Sequence, residues 1–195
     1  MNYLAHLYLA QDSDESIIGN LLGDFIKGSL ENIENREIAR GITTHRKVDL
    51  YTDRHEKIIE SKRLISQKRK RFAGIIIDVS FDHFLSRNWS LYSESELKDF
   101  ISDIYTTLTN HKNLLPPKLQ MFLPRMIEED WLGSYIHLDG IGLTLDRISR
   151  RIARRFKRGS VLHGAVEEIE SNYTTLEENF KEFFPDVIKF VDEQG

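Results

Sequence analysis

Nowhere do the 195 residues alternate apolar and polar side chains over the length that a half-buried strand needs, and this absence constrains the fold most. Apolar residues recur instead at helical spacing. After Ser13, the residues Ile17, Ile18, Leu21, Leu22, Phe25 and Ile26 build one wide apolar face, and the Ser13–Ser16 stretch offers N-cap residues ahead of it. The one strand-like run, Ile75-Ile76-Ile77, continues without a break into DVSFDHFLSRNW and reads as a buried helix. The pattern predicts helices over 2–10, from Ser13, over 35–52, 54–67, 70–88 and 94–110, the last with a Ser93-x-x-Glu96 capping box. Further helices are predicted over 118–136 with an interruption near Pro124, over 142–156 after a turn at Asp139-Gly140-Ile141-Gly142, and from 160 to just ahead of Pro185. No repeat, low-complexity linker or boundary divides the chain, so an all-α single helical domain over 1–195 is expected.

Composition narrows the chemistry. At 40% apolar and 30% charged residues, the chain has enough material for a core and is not disordered. It has no cysteine, which excludes a disulfide scaffold, a Cys-ligated zinc site and a Cys nucleophile. A metal would have to be held by His, Asp and Glu, and seven His with 31 acidic residues leave ample choice. No apolar run reaches the ~20 residues of a membrane span. The stretch MNYLAHLYLA lacks a basic leader and contains His6, a poor signal peptide, so a soluble cytoplasmic protein is expected. GxGxxG, Walker A and GxSxG motifs are missing. Trp131 to Tyr135 reads as core, and His111, His137 and His163 as surface residues.

The formal charge of −4 averages an uneven layout. Residues 62–71 carry six positive charges and 147–158 carry seven, with no acidic residue in either. These two segments hold 13 of the 27 Lys and Arg, leaving a balance of −17 elsewhere. Such segregation fits an acidic protein partner, nucleic acid, an anionic surface or two solvated helix faces. On the 142–156 helix, Ile148, Ile152 and Phe156 share one face, and Arg147, Arg151, Arg154 and Arg158 lie along another.

The first 90 residues place polar groups inside apolar helices. Residues i and i+4 share a helix face, so Asn20 points with Asp24, His45 with Asp49, and Asp78 with Asp82. Asp78 follows three isoleucines, and a buried carboxylate needs a metal, an Arg or several hydrogen bonds. His6 alone reads as a core histidine, and Asp49 and Asp53 could cap the next helix. Asp24, His45, Asp82 and His83 together are better read as metal ligands. Imidazole with carboxylate suits manganese, iron, zinc or magnesium, and such an ion activates water for hydrolysis.

Four stretches in order resemble the acyl carrier protein phosphodiesterase family. They are Asn2-x-Leu4-Ala5-His6-Leu7-x-Leu9-Ala10, Gly19-Asn20-Leu21-Leu22-x-Asp24-Phe25, His45-Arg46-x-x-Asp49-x-x-Thr52-Asp53 and Asp78-x-x-x-Asp82-His83-Phe84-Leu85. Some members carry His where this chain has Tyr8, so position 8 is not an essential ligand here. The family is similar to the HD-domain phosphohydrolases, so the resemblance implies an HD-domain-like fold with rearranged helix order. It also implies hydrolysis of holo acyl carrier protein to the apo protein and 4'-phosphopantetheine. The implied ligands are Asp24, His45, Asp82, His83 and His6 around a divalent ion, manganese foremost, with magnesium, iron or zinc as substitutes. Asp24 would share in catalysis, Arg46 would hold the phosphate, and Asp49 or Asp78 would orient a ligand or accept the water proton. The carrier is strongly acidic, which gives Arg147, Arg151, Arg154 and Arg158 a partner. No nucleic acid and no membrane are expected. Two readings compete: the same metal site acting on a nucleotide or other small phosphoester, and a non-enzymatic helical binder of an acidic partner.

Overall fold

A computed structural model describes residues 1–156 and 161–194, and every regular element among them is helical. In order, α1 spans Tyr3–Tyr8, α2 Asp14–Leu22, α3 Arg36–Arg54, α4 Glu56–Leu64 and α5 Ala73–Arg87. Then follow α6 Leu97–Asn110, α7 Pro117–Glu128, α8 Leu138–Phe156, α9 Val166–Ser171 and α10 Tyr173–Asp192. Single 3-10 turns occupy 70–72, 89–91, 112–114 and 133–136. No helix of the described residues is long and apolar enough to cross a membrane.

The helix with the three isoleucines is the axis of the core. On α5, Ile76, Ile77, Val79, Phe81, Phe84 and Leu85 are all buried. Phe81 packs edge-on to Phe180 of α10, and Phe84, Phe183 and Phe184 complete the aromatic layer. This layer explains why α10 runs through Pro185, where the sequence predicts an end. An interior proline costs about 3 kcal/mol. Phe183, Phe184 and Val187 flank it at 0% exposure, and each contributes roughly 1.5–3 kcal/mol by burial.

Other boundaries also differ from expectation. The acidic stretch is two helices, α9 and α10, that break at Asn172. α7 stops at Glu128 because Asp130 turns the chain with φ 40° and accepts the Gly133 N–H at 3.1 Å. The segment Asp139–Gly142 is the first turn of α8, since burial of Ile141 and Leu145 rewards helix there. The Ser93 capping box does not form: Ser93 Oγ accepts from Ser95 N at 3.2 Å, and Glu96 is the N-cap without a side-chain bond. Ser13 does cap α2, accepting from Ser16 N at 3.1 Å.

Two contacts set the frame for the site. α2 and α3 meet backbone to backbone at a glycine pair. A Cβ on Gly19 would lie 2.4 Å from the Ile38 carbonyl oxygen, and one on Gly41 would lie 2.8 Å from that of Ser16. The six-residue α1 is too short to be stable alone. Asp82 of α5 holds its start, accepting Leu4 N–H at 2.8 Å and Ala5 N–H at 3.2 Å.

The basic segments are partly consumed by the fold. Lys62 pairs with Asp53 at 2.8 Å, and Arg69 pairs with Glu168 at 2.6 Å. On α8 the buried side runs through Ile141, Leu145 and Ser149, with Ile148 and Ile152 only half-buried beside it. Arg147 is committed to Glu129 at 2.6 Å and lies over the Trp131 ring, 4.9 Å from its centroid. It is therefore a fold contact rather than a free docking residue. Arg151 and Arg154 are exposed, while the Phe156 side chain and Arg158 lie outside the described residues. His111 and His163, expected at the surface, pair there with Asp14 at 2.8 Å and Asp146 at 3.0 Å.

Candidate functional site

α1 and α3 bring two imidazoles face to face. His6 and His45 stack with ring centroids 3.7 Å apart and an interplanar angle of 18°. Asp49, one turn along α3 from His45, answers both. Its Oδ1 lies 3.1 Å from His6 Nε2, and its Oδ2 lies 3.3 Å from His45 Nε2. Both rings are buried, and Asp49 is partly open to solvent. Although burial opposes it, the neighbouring His45 and His6 rings hold the Asp49 carboxyl below the usual range.

A main-chain group sets the tautomer of His45. Its Nδ1 lies 2.7 Å from the Asn20 carbonyl oxygen, which can only accept, so Nδ1 carries the hydrogen. The lone pair of a neutral ring then sits on Nε2 and faces the Asp49 carboxylate. Two lone pairs at 3.3 Å repel unless a second proton or a metal ion lies between them. One ligand atom from each of His6, His45 and Asp49 falls within 4.8 Å of the others, a set of two nitrogens and one oxygen that fits a divalent ion.

Two more carboxylates rim the cluster. Asp24, just past α2, has Oδ1 3.9 Å from His45 Nε2 and is exposed. Asp78 of α5 and Asp49 converge on the Met1 main-chain amine, each with an oxygen 3.3 Å from it. Burial pushes the Asp78 carboxyl up. Burial would lower the Met1 amine, but Asp78, Asp49 and Asp82 outweigh it and hold its pKa at about 10.

Three other expected site residues are engaged elsewhere. Asp82, at 0% exposure, gives both oxygens to the first amides of α1, and burial raises its pKa to about 7. His83 leaves α5 about 100° away from Asp82. Its Nδ1 lies 2.8 Å from the Tyr135 carbonyl and its Nε2 lies 2.9 Å from the Tyr173 hydroxyl. Arg46 donates to the carbonyls of Gly28 and Ile26, both at 2.9 Å, and so fastens the loop after α2. Sequence reasoning missed Gly23, whose bare Cα touches the His45 ring; the only signal was a glycine inside the apolar run NLLGDF.

Burial of His6 lowers its pKa to about 3, against 6.5 for a free side chain. The folded state therefore binds fewer protons than the unfolded chain between those values, and stability falls as pH drops through that window. In metal-free protein, the His6 contribution to the unfolding free energy should fall by about 2 kcal/mol between pH 7 and pH 5, read as the change in the urea-derived difference between wild type and His6→Gln, since the opposite contribution of Asp82 is common to both. An unchanged slope in His6→Gln would assign the acid sensitivity to another group.

Comparison with known proteins completes the picture. The family model described as acyl carrier protein phosphodiesterase matches residues 1–187. The chain is 36% identical over 186 residues to a protein of Photorhabdus laumondii named acyl carrier protein phosphodiesterase, covering 95% of this chain and 92% of that one. A protein of the same name from Yersinia enterocolitica is 38% identical over 186 residues, covering 95% and 94%. Another, from Serratia proteamaculans, is 35% identical over 190 residues, covering 97% and 96%. No solved structure matches the chain. With a family match over nearly its whole length and relatives of this similarity, the chain belongs to the acyl carrier protein phosphodiesterase family.

Proposed function

We propose that this chain hydrolyses the phosphodiester that joins 4'-phosphopantetheine to a serine of holo acyl carrier protein, and that His6, His45 and Asp49 hold a divalent metal for that reaction. The observation that carries the reading is the pinned His45 tautomer, which turns an imidazole lone pair onto a carboxylate inside a chain of this family. Manganese is the preferred ion, and magnesium, iron or zinc would satisfy the same donors. When bound, such an ion offsets charge on the phosphoryl oxygens and makes water more acidic.

The surrounding side chains have separable tasks. Asp49 orients both imidazoles. Asp24, exposed at the rim, takes the proton of the attacking water. Asp78 stays a carboxylate against the Met1 amine, 3.3 Å away, and the proton taken up by Asp24 goes to the serine oxygen as the P–O bond breaks. Arg151 and Arg154 on the open side of α8 meet the acidic surface of the carrier, chiefly speeding encounter. The reaction is assigned to the cytoplasm, with no nucleic-acid partner.

Incubation with holo acyl carrier protein and manganese should reduce the carrier's mass by one 4'-phosphopantetheine. Chelation should stop the reaction, and added manganese should restore it. A carrier mass that stays constant with every one of the four metals would refute the assignment.

A further inference from the structure

The doublet Asp82-His83, which the sequence offers as a pair of metal ligands, has another use in the fold. A helix of six residues does not hold together on its own, yet α1 must keep His6 stacked on His45 with ring centroids 3.7 Å apart. Its N-cap residue, Asn2, makes no side-chain bond to the amides of the helix. That task falls to Asp82 of α5. Its two oxygens accept the Leu4 N–H at 2.8 Å and the Ala5 N–H at 3.2 Å, the second and third amides of α1, which an N-cap side chain normally serves. The Asn2 side chain is left to donate from Nδ2 to the Tyr135 hydroxyl at 3.1 Å. His83 holds the same tyrosine by its main chain. The Tyr135 carbonyl can only accept, so His83 Nδ1 carries the hydrogen across their 2.8 Å contact, and Nε2 accepts the Tyr173 O–H at 2.9 Å. Both side chains of the doublet are buried, and both end on groups that fix the start of α1, Asp82 directly and His83 through Tyr135.

We propose that Asp82 and His83 are positioning residues for His6: Asp82 replaces the local cap of α1, His83 steadies Tyr135 behind Asn2, and together they set the His6 ring against His45 and Asp49. The assignment deepens the metal-site reading and rests on it for its consequence in catalysis. It takes the doublet out of the ligand shell and makes it act through one imidazole, whose Nε2 lies 3.1 Å from Asp49 Oδ1.

Nuclear Overhauser contacts between the His6 and His45 ring protons of the metal-free full chain report this placement directly. Asp82→Asn offers one oxygen to two amides and turns an NH2 donor on the other. The ring contacts should therefore be lost, while those between Tyr51 and Phe190, stacked at 4.4 Å, persist. Leu108→Ala, a truncation at a fully buried position of α6, should destabilise the chain and leave the His6–His45 contacts in place. Tyr135→Phe is the milder cut and decides the matter if Asp82→Asn does not fold: it should weaken the ring contacts, and unchanged ones would overturn the proposal. Manganese binding, followed by electron paramagnetic resonance of the free ion, separates positioning from ligation. Asp82→Asn should weaken it at least about tenfold in the wild-type background but no more than about twofold once His6→Ala is present, since both changes then act on one ligand. Ring contacts that survive Asp82→Asn, or that Leu108→Ala removes as well, would overturn the proposal. So would an equal factor in the His6→Ala background, which would make Asp82 a ligand in its own right. A chain that loses the ring contacts with Asp82→Asn, yet binds no manganese as wild type, would instead fault the metal reading and leave the positioning role standing.

Discussion

Asp49→Ala should lower kcat/KM for the carrier phosphodiester by at least about 10³-fold and remove tight divalent-metal binding, the largest effect expected from a single side chain. Asp49 is the group that touches both stacked imidazoles, one with each oxygen. Without it, His6 and His45 still stack, but a nitrogen pair alone lacks the hard oxygen donor and the negative charge. Asp49→Asn keeps the shape and deletes the charge, so it should behave nearly as badly. Metal content by elemental analysis and kcat/KM measured in parallel check this. An Asp49→Asn protein that keeps its metal and stays within about tenfold of wild-type turnover would show that Asp49 is not a ligand.

The second expected result concerns a residue with no side chain. In Gly23→Ala the new Cβ would lie 2.2 Å from Cγ and 2.3 Å from Cδ2 of His45. The backbone is not the obstacle, since Gly23 has φ −53° and ψ −34°, which alanine adopts freely. At such a position the substitution normally stabilises by about 0.4–1 kcal/mol. Here the ring must leave its place, breaking the 2.7 Å contact of Nδ1 with the Asn20 carbonyl and the approach of Nε2 to Asp49. We expect kcat/KM to fall about 100-fold, with overpacking costing about 1–3 kcal/mol. That should lower the melting temperature by a few degrees in a chain of this size. The sign of the stability change is decisive: a more stable, fully active Gly23→Ala protein would mean the ring does not occupy this position.

What the sequence discloses and what it hides differ in physical kind. Helical spacing correctly joins His45 to Asp49, because that relation lies within one helix. It also marks the Ile75–Ile77 run as buried helix. The partner on another helix is what spacing lacks. His6 alone reads as a core histidine, yet its neighbour is His45, 39 positions on. Asp82 reads as a ligand because it stands beside His83 and groups with Asp24 and His45. Its partners are a pair of backbone amides 78 and 77 positions away, which no side-chain pattern records. Arg46 fails in the same way, since its acceptors are main-chain carbonyls. Helix ends fail where tertiary burial overrides local signals, as at Pro185 and at Asp139–Gly142.

The anchoring of α1 by Asp82 has a consequence for how the protein is made. During synthesis α1 leaves the ribosome first of the described helices, but its anchor follows 77–78 residues later. At about 5–20 residues per second, that delay is on the order of ten seconds. Through it, His6 rides on a segment too short to hold a helix, and His45 emerges with no stacking partner in place. The nascent chain therefore offers separate imidazoles, and the proposed metal site can assemble only once α5 has closed the core.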